Sequence, residues 1–169
     1  MLRGLFDWEK NMRDSRIVHW NNGLWDNCDL FGDGPFYTEE EYVRNVLRIA
    51  DILQKRHEIV IFATTTPVSP KNLYSKNEII CRYNELVVPR LMERGIIIND
   101  LYSLVSTDLD RYIAPDLIHL SEEGIALCAS AVADAIRSAA SGLSSTVVTE
   151  ENAPTASQDG GAPVVFGKE

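Results

Sequence analysis

The chain has 169 residues, a hydrophobic share of 45%, a charged share of 24% and a formal net charge of −9, which fits one globular domain with a sizeable core. An acidic chain without a basic face argues against nucleic acid as a partner, because phosphate binding needs clustered lysine and arginine. No apolar run approaches the roughly 20 residues that cross a bilayer, so we expect no membrane insertion.

The first elements in chain order are a short strand and a helix with a defined start. The β-branched and aromatic residues Ile17–Trp20 predict a strand, and the turn-forming run at 21–23 (Asn-Asn-Gly) ends it. Thr38 and Glu41 have the spacing of a capping box, in which the hydroxyl accepts from the third helical N–H and the carboxylate reaches back. The helix that follows is expected to extend to about Lys55.

The middle of the chain repeats this pattern of strand and helix. The run at 58–66 (EIVIFATTT) is apolar without alternation, which favours a strand covered on both faces, as in a parallel sheet. A helix is predicted over 76–94, and Gly95 suits its C-terminus. A third strand is predicted at 96–98.

The last predicted helix begins after Ser121, which can cap it. The residues expected on its inner face are Ile125, Cys128, Val132 and Ile136. From about Ser138 the composition turns to Ser, Ala, Thr, Gly and Pro. We therefore predict a domain over 1–140 and a disordered tail over 141–169.

The order β-α-β-α-β-α predicts an α/β fold, a parallel sheet with helices on both faces. In such sheets the ligand site lies at the carboxyl ends of the strands. The segments expected there are 21–26, 64–70 and 108–119.

The most distinctive local pattern is Asp116-Leu117-Ile118-His119, just before the last helix. Spacing of three places both polar side chains on one side of a turn, where the carboxylate can hold Nδ1–H and leave Nε2 free as a general base. The alternative is a surface aspartate beside a partly buried histidine.

The second pattern is the turn at Asn21, Asn22 and Gly23 after the first strand. An asparagine amide at the carboxyl end of a strand can donate to an oxyanion, and Asn21 is the preferred donor. The alternative is a turn that uses Asn and Gly because they tolerate positive φ.

In this order the motifs resemble those of the SGNH (GDSL-type) hydrolases, in an acetylesterase-like branch. These are serine esterases with a flavodoxin-like three-layer α/β/α fold. Asp116 and His119 match the family's last motif, and 21–24 resembles its oxyanion turn in a variant Asn-x-Gly-Leu form. The resemblance covers about residues 15–138. It implies that Asp116 and His119 are catalytic and that the turn at 21–23 binds the oxyanion or substrate.

The Gly-Asp-Ser block that supplies the family's serine nucleophile is not found in the sequence. Asp14-Ser15 copies two of its letters but leads into a strand, so Ser15 is predicted to be a loop residue. The family strand order 2-1-3-4-5 then implies that strands 3-4-5 are present and the first strands are missing, as in an N-terminally truncated domain. The strand at 17–20 should have an exposed apolar edge that allows self-association.

The resemblance implies an ester hydrolase that acts on a carbohydrate or small acyl ester through a Ser-His-Asp triad. Because the serine segment of this triad is missing from the sequence, the chain alone should have little or no turnover. The alternative is a non-catalytic module that binds a glycan or a protein on a degenerate hydrolase scaffold, with Trp20 and Trp25 as candidate contacts. The compartment is cytoplasmic if Met1 is the true start, and secreted or periplasmic if an upstream segment is missing.

No metal or other cofactor is expected. The three histidines are separated without the ligand spacing of a zinc site, and no glycine-rich phosphate loop is present. His19 is predicted to be packed or hydrogen-bonded within its strand, and His57 to be a solvated loop residue. The three cysteines have neither metal-ligand nor redox spacing.

Overall fold

The structure is a computed structural model that describes residues 2–143. Its sheet contains β1 (Ile17–Trp20), β2 (Ile59–Ala63) and β3 (Ile97–Asn99), all parallel and in the order β1-β2-β3. The register places Trp20 opposite Phe62 and Ala63 opposite Asn99. The predicted parallel sheet is therefore confirmed.

Six helices surround this sheet in the described part of the chain. Their bounds are α1 Leu2–Met12, α2 Glu39–Gln54, α3 Asn77–Met92, α4 Leu101–Val105, α5 Leu109–Tyr112 and α6 Glu122–Ser141. The capping box of α2 forms as predicted, since Thr38 Oγ1 accepts from Glu41 N and the Glu41 carboxylate accepts from Thr38 N. Within residues 2–143, no helix is long and apolar enough to cross a membrane.

Two hydrophobic clusters cover the two faces of the sheet. Alternate strand residues such as Trp20 and Phe62 pack with α1, α2 and α3, where the rings of Tyr42 and Tyr83 stack with centroids 4.8 Å apart. On the opposite face, Ala63 packs with α4 and α6. Helices on both faces of a parallel sheet form the three-layer arrangement that the sequence predicts.

The inner face of α6 differs from the prediction. Cys128 is buried as expected, but Ile125 and Ile136 are 57% and 36% exposed. The cause lies at the start of the helix, where Gly124 packs so closely that a Cβ there would lie 2.3 Å from the carbonyl oxygen of Tyr112. This contact turns the row 124, 128, 131 and 132 towards the sheet and leaves both isoleucines outside.

The prediction that His57 is a solvated loop residue is wrong. Its side chain is buried, and its Nδ1 lies 2.9 Å from the carbonyl oxygen of Ser15. This contact joins the residues just before β1 and β2, at the amino edge of the sheet. Ser15 is a loop residue there, as predicted.

The free edge of β1 is lined by a groove. In residues 2–143, β1 pairs with β2 alone. The last three residues of β1, 18–20, and Asn21 directly after them line a cavity of about 290 Å³ together with Leu5, Trp8 and Met12 of α1. Because consecutive strand residues point to opposite faces, a cavity that touches all four runs along the edge of the strand.

Candidate functional site

The loop that follows β2 is held by two asparagines of α3. Asn84 donates to the carbonyl oxygen of Thr65 and accepts from its N–H, both at 3.0 Å. Two helical turns earlier, Asn77 forms the same pair of hydrogen bonds with Val68, both at 2.9 Å. In each case the asparagine side chain makes the two hydrogen bonds that a neighbouring strand would otherwise make with these backbone groups. These bonds fix the loop at the carboxyl edge of the sheet.

The Asp116 and His119 side chains meet, as the sequence predicts. Nδ1 of His119 lies 2.7 Å from Oδ2 of Asp116. The other carboxylate oxygen, Oδ1, accepts from the backbone N–H groups of Ile118 at 3.1 Å and His119 at 3.0 Å. Both oxygens of the carboxylate are therefore used, and the imidazole is held by a single contact.

These hydrogen bonds fix the charge of the pair. Donation from the backbone N–H groups of His119 and Ile118, and then from the imidazole, lowers the pKa of Asp116 to about 2. An ionised carboxylate only accepts, so Nδ1 of His119 carries the proton that they share. Nε2 is then a free base, on a side chain that is 78% exposed. Such an imidazole can take a proton from a hydroxyl placed beside it.

The turn that carries this pair has an unusual backbone. Leu117 has φ +72°, a left-handed conformation that costs a non-glycine residue about 1–2 kcal/mol. Its N–H donates to the carbonyl oxygen of Ala114, while its own carbonyl accepts from Ser69 N at 3.1 Å and Asn72 Nδ2 at 3.4 Å. These bonds hold the strained residue in place and join the turn to the loop after β2.

The Asn21 side chain lies at the same edge of the sheet. Its amide donates to the carbonyl oxygen of Ala63, the last residue of β2, at 2.8 Å. One of its two amide hydrogens is used in this way, and the second is available to a ligand.

Asn22 and Gly23 hold the turn itself. The Asn22 side chain accepts from Trp20 Nε1 at 3.0 Å, and its carbonyl accepts from the hydroxyl groups of Tyr42 and Thr65. Gly23 has φ +147°, and a Cβ there would lie 2.1 Å from Thr65 Oγ1. The Asn22 side chain uses only its oxygen in these contacts, so its amide donors, like the second amide hydrogen of Asn21, are available to a ligand.

Three contributors to the site were missed in the sequence, namely Asn72, Asn77 and Asn84. A signal for Asn84 exists, because it lies at helical spacing between the apolar residues Ile80, Val87 and Leu91. A polar residue in a buried row needs a hydrogen-bonding partner, which could have marked the loop before α3. In residues 2–143, no cluster of three or more His, Cys, Asp or Glu is arranged to hold a metal ion.

No family model and no curated protein matches the chain, but solved structures share its fold. A lipase/acylhydrolase from Enterococcus faecalis is similar with a TM-score of 0.68 and 16% identity, over 82% of this chain and 69% of that one. A GDSL-like lipase from Bacteroides thetaiotaomicron has a TM-score of 0.66 and 17% identity, over 82% and 71%. An acetylxylan esterase from Geobacillus stearothermophilus has a TM-score of 0.62 and 16% identity, over 80% and 67%.

This chain thus spans about two thirds of the length of each of these three structures. At such identities the similarity concerns the fold. The chain has the α/β fold of GDSL-type lipases and acetylxylan esterases, which confirms the fold that the resemblance of its motifs implies.

Proposed function

We propose that the Asp116–His119 pair is the acid–base half of an ester hydrolase site. His119 Nε2 takes the proton of a serine hydroxyl as this attacks the acyl carbon, and returns it to the leaving alkoxide. Asp116 orients the imidazole and stabilises its charged form, and the second amide hydrogen of Asn21 donates to the oxyanion. The observation that carries the proposal is the contact of 2.7 Å between the two side chains, on a fold shared with esterases.

The serine comes, in this proposal, from a strand that pairs with the free edge of β1. No Gly-Asp-Ser block occurs in the sequence. Ser15 lies just before β1 at the amino edge of the sheet, whereas the turn of His119 is joined to the loop at the carboxyl edge. The groove along residues 18–21 has the position that such a strand would occupy. A parallel strand there would end at the same edge as Asn21, where nucleophile and oxyanion donor have to meet.

The substrate class is an ester of a carbohydrate or of a small acyl group. Solved structures with this fold include one Geobacillus esterase, which is described both as an acetylxylan esterase and as an acetyl-xylooligosaccharide esterase. Acetylated xylo-oligosaccharides and p-nitrophenyl acetate are therefore the first substrates to test.

The test compares two forms of the protein, each with and without His119→Ala. The 169-residue chain alone should show no turnover of p-nitrophenyl acetate above background. The chain extended by the segment encoded upstream of Met1 should hydrolyse the ester, and His119→Ala should abolish this activity. In the extended form, Asp116→Asn should lower kcat by about 10⁴-fold, because an amide no longer fixes the base in its tautomer.

Two outcomes contradict the proposal. Robust hydrolysis by the chain alone, lost on His119→Ala, means that a serine within these 169 residues is the nucleophile. Undiminished hydrolysis by the extended His119→Ala variant means that another group is the base.

A non-catalytic module that binds a glycan or a protein is the second candidate, favoured by exposed aromatic residues such as Trp25. The coding sequence upstream of Met1 separates the two candidates. An in-frame strand followed by Gly-Asp-Ser supports the enzyme, and its absence supports the binding module.

A further inference from the structure

A group of exposed aromatic and apolar side chains lies on two loops at the carboxyl edge of the sheet. Trp25, Phe31 and Leu73 are 71–79% exposed, and Phe36 and Tyr74 are about half exposed. These five residues are called the aromatic surface below. Large apolar side chains exposed together in this way are characteristic of binding surfaces.

The backbone hydrogen bonds of the two loops make this surface a preformed one. Asp29 N donates to the carbonyl oxygen of Tyr74 at 2.8 Å and joins the loops. Phe36 N donates to Cys28 O at 3.1 Å, and Phe31 contacts Phe36 edge to face with ring centroids 6.1 Å apart. A surface ordered before binding loses little conformational entropy when a ligand arrives.

The aromatic surface continues directly from the candidate site. Its first loop follows the Asn21 turn, and buried Asn27 donates back to the carbonyl oxygen of Gly23. Its second loop reaches the Asp116 turn, because Asn72 donates to the carbonyl oxygen of Leu117. A ligand bound at His119 can therefore extend over these loops.

The charges among these residues favour an uncharged, hydroxyl-rich ligand. On the first loop, residues 21–43 include no Lys or Arg, and Asp26, Asp29 and Asp33 lie between the aromatic residues, whereas on the second loop Lys71 and Lys76 flank Leu73 and Tyr74. Insertion into lipid would dehydrate these charged side chains, which is costly, and charges of both signs give no clear preference for an anionic or a cationic partner. Sugar hydroxyl groups can instead donate to the carboxylates while the aromatic rings cover the apolar faces of the sugars.

We propose that the aromatic surface binds an uncharged oligosaccharide chain beside His119, so that the esters taken by this site are carried on oligosaccharides. This assignment of a substrate class builds on the proposed ester hydrolase, but the binding step needs no turnover.

Calorimetry on the 169-residue chain tests this binding with four uncharged β-linked hexasaccharides, those of glucose, mannose, xylose and N-acetylglucosamine. At least one should bind, more tightly than its monosaccharide. Trp25→Ala should weaken binding about tenfold, the loss expected for one aromatic contact. Trp8→Ala is the matched control, since Trp8 is a half-exposed tryptophan on α1, and it should leave the affinity unchanged.

The proposal is overturned if no hexasaccharide binds, or if Trp25→Ala binds as well as the unmodified chain. Binding to neutral phosphatidylcholine vesicles that depends on Trp25 would assign the surface to lipid and also overturn it. Calorimetry is independent of catalysis, so such a failure leaves the ester hydrolase proposal intact. Conversely, sugar binding by a chain whose extended form hydrolyses no ester upholds this surface and refutes the enzyme.

Discussion

Asn84→Ala tests whether the loop after β2 depends on hydrogen bonds from α3. The substitution removes both partners of the Thr65 backbone, in a place where Asn84 is 7% and Thr65 2% exposed. Each buried backbone group left without a partner costs about 1–3 kcal/mol. Alanine regains about 0.6 kcal/mol of helix propensity. The expected loss in the free energy of unfolding is therefore about 3 kcal/mol.

Asn77→Ala is the matched control, because it removes the same pair of hydrogen bonds from Val68 on the same helix. Val68 is as buried as Thr65, at 1% exposed, but the Asn77 side chain that covers its backbone groups is only partly buried, so water can enter the place that the side chain leaves and replace part of what is lost. The gain in helix propensity is the same in both variants and cancels in the comparison. Asn77→Ala should therefore cost about 1 kcal/mol.

Urea denaturation followed by circular dichroism measures both variants. With an m-value near 1.5 kcal/mol/M, the midpoint of Asn84→Ala should fall by about 2 M at unchanged m. Hydrogen exchange at the Thr65 amide should accelerate in the same variant. Equal losses in the two variants would refute the argument from burial, and a negligible loss in both would refute the role of the two asparagines.

Three further predictions concern the candidate site. Gly23→Ala should lower the free energy of unfolding by about 3 kcal/mol, because the added Cβ clashes with Thr65. Gly34 also has a positive φ but lies in open space, so Gly34→Ala should cost only about 1 kcal/mol. Equal losses of the two variants in thermal melts would contradict the close contact at Gly23. The pKa of Asp116 is lowered in the folded state, so its contribution to stability is present above about pH 4 and fades as the pH falls towards 2. Carbon-13 NMR should give a carboxyl midpoint near 2, and a midpoint near 4 would exclude the hydrogen bonds that we describe. Nitrogen-15 NMR of neutral His119 should find its proton on Nδ1, with Nε2–H dominant only after Asp116→Asn; Nε2–H in the unmodified chain would argue against its role as a base.

Local patterns in the sequence predicted much of the fold. The strand at 17–20 and the start of α2 depend on neighbours within a few residues, which is the range that such patterns describe. The contact between Asp116 and His119 is local for the same reason, since three residues separate them.

Contacts between distant residues could not be predicted in this way. His57 is buried, and the carbonyl oxygen of Ser15, 42 residues away, accepts its Nδ1–H. The rotation of α6 follows from the close approach of Gly124 to Tyr112, which apolar periodicity does not encode. The hydrogen bonds between Asn84 and Thr65 likewise depend on how α3 packs against the sheet, which helix and strand propensities do not predict.

The left-handed residue at 117 has a consequence for how the acid and the base depend on each other. It turns the next two peptide N–H groups towards one aspartate oxygen, and these two bonds depress the carboxyl pKa more than the imidazole does. The negative charge is thus set by the main chain, and it persists while the neighbouring ring gains or gives up a proton. The imidazole of His119 therefore lies beside the same negative charge in both of its protonation states. In a variant that lacks His119, Asp116 would still be ionised.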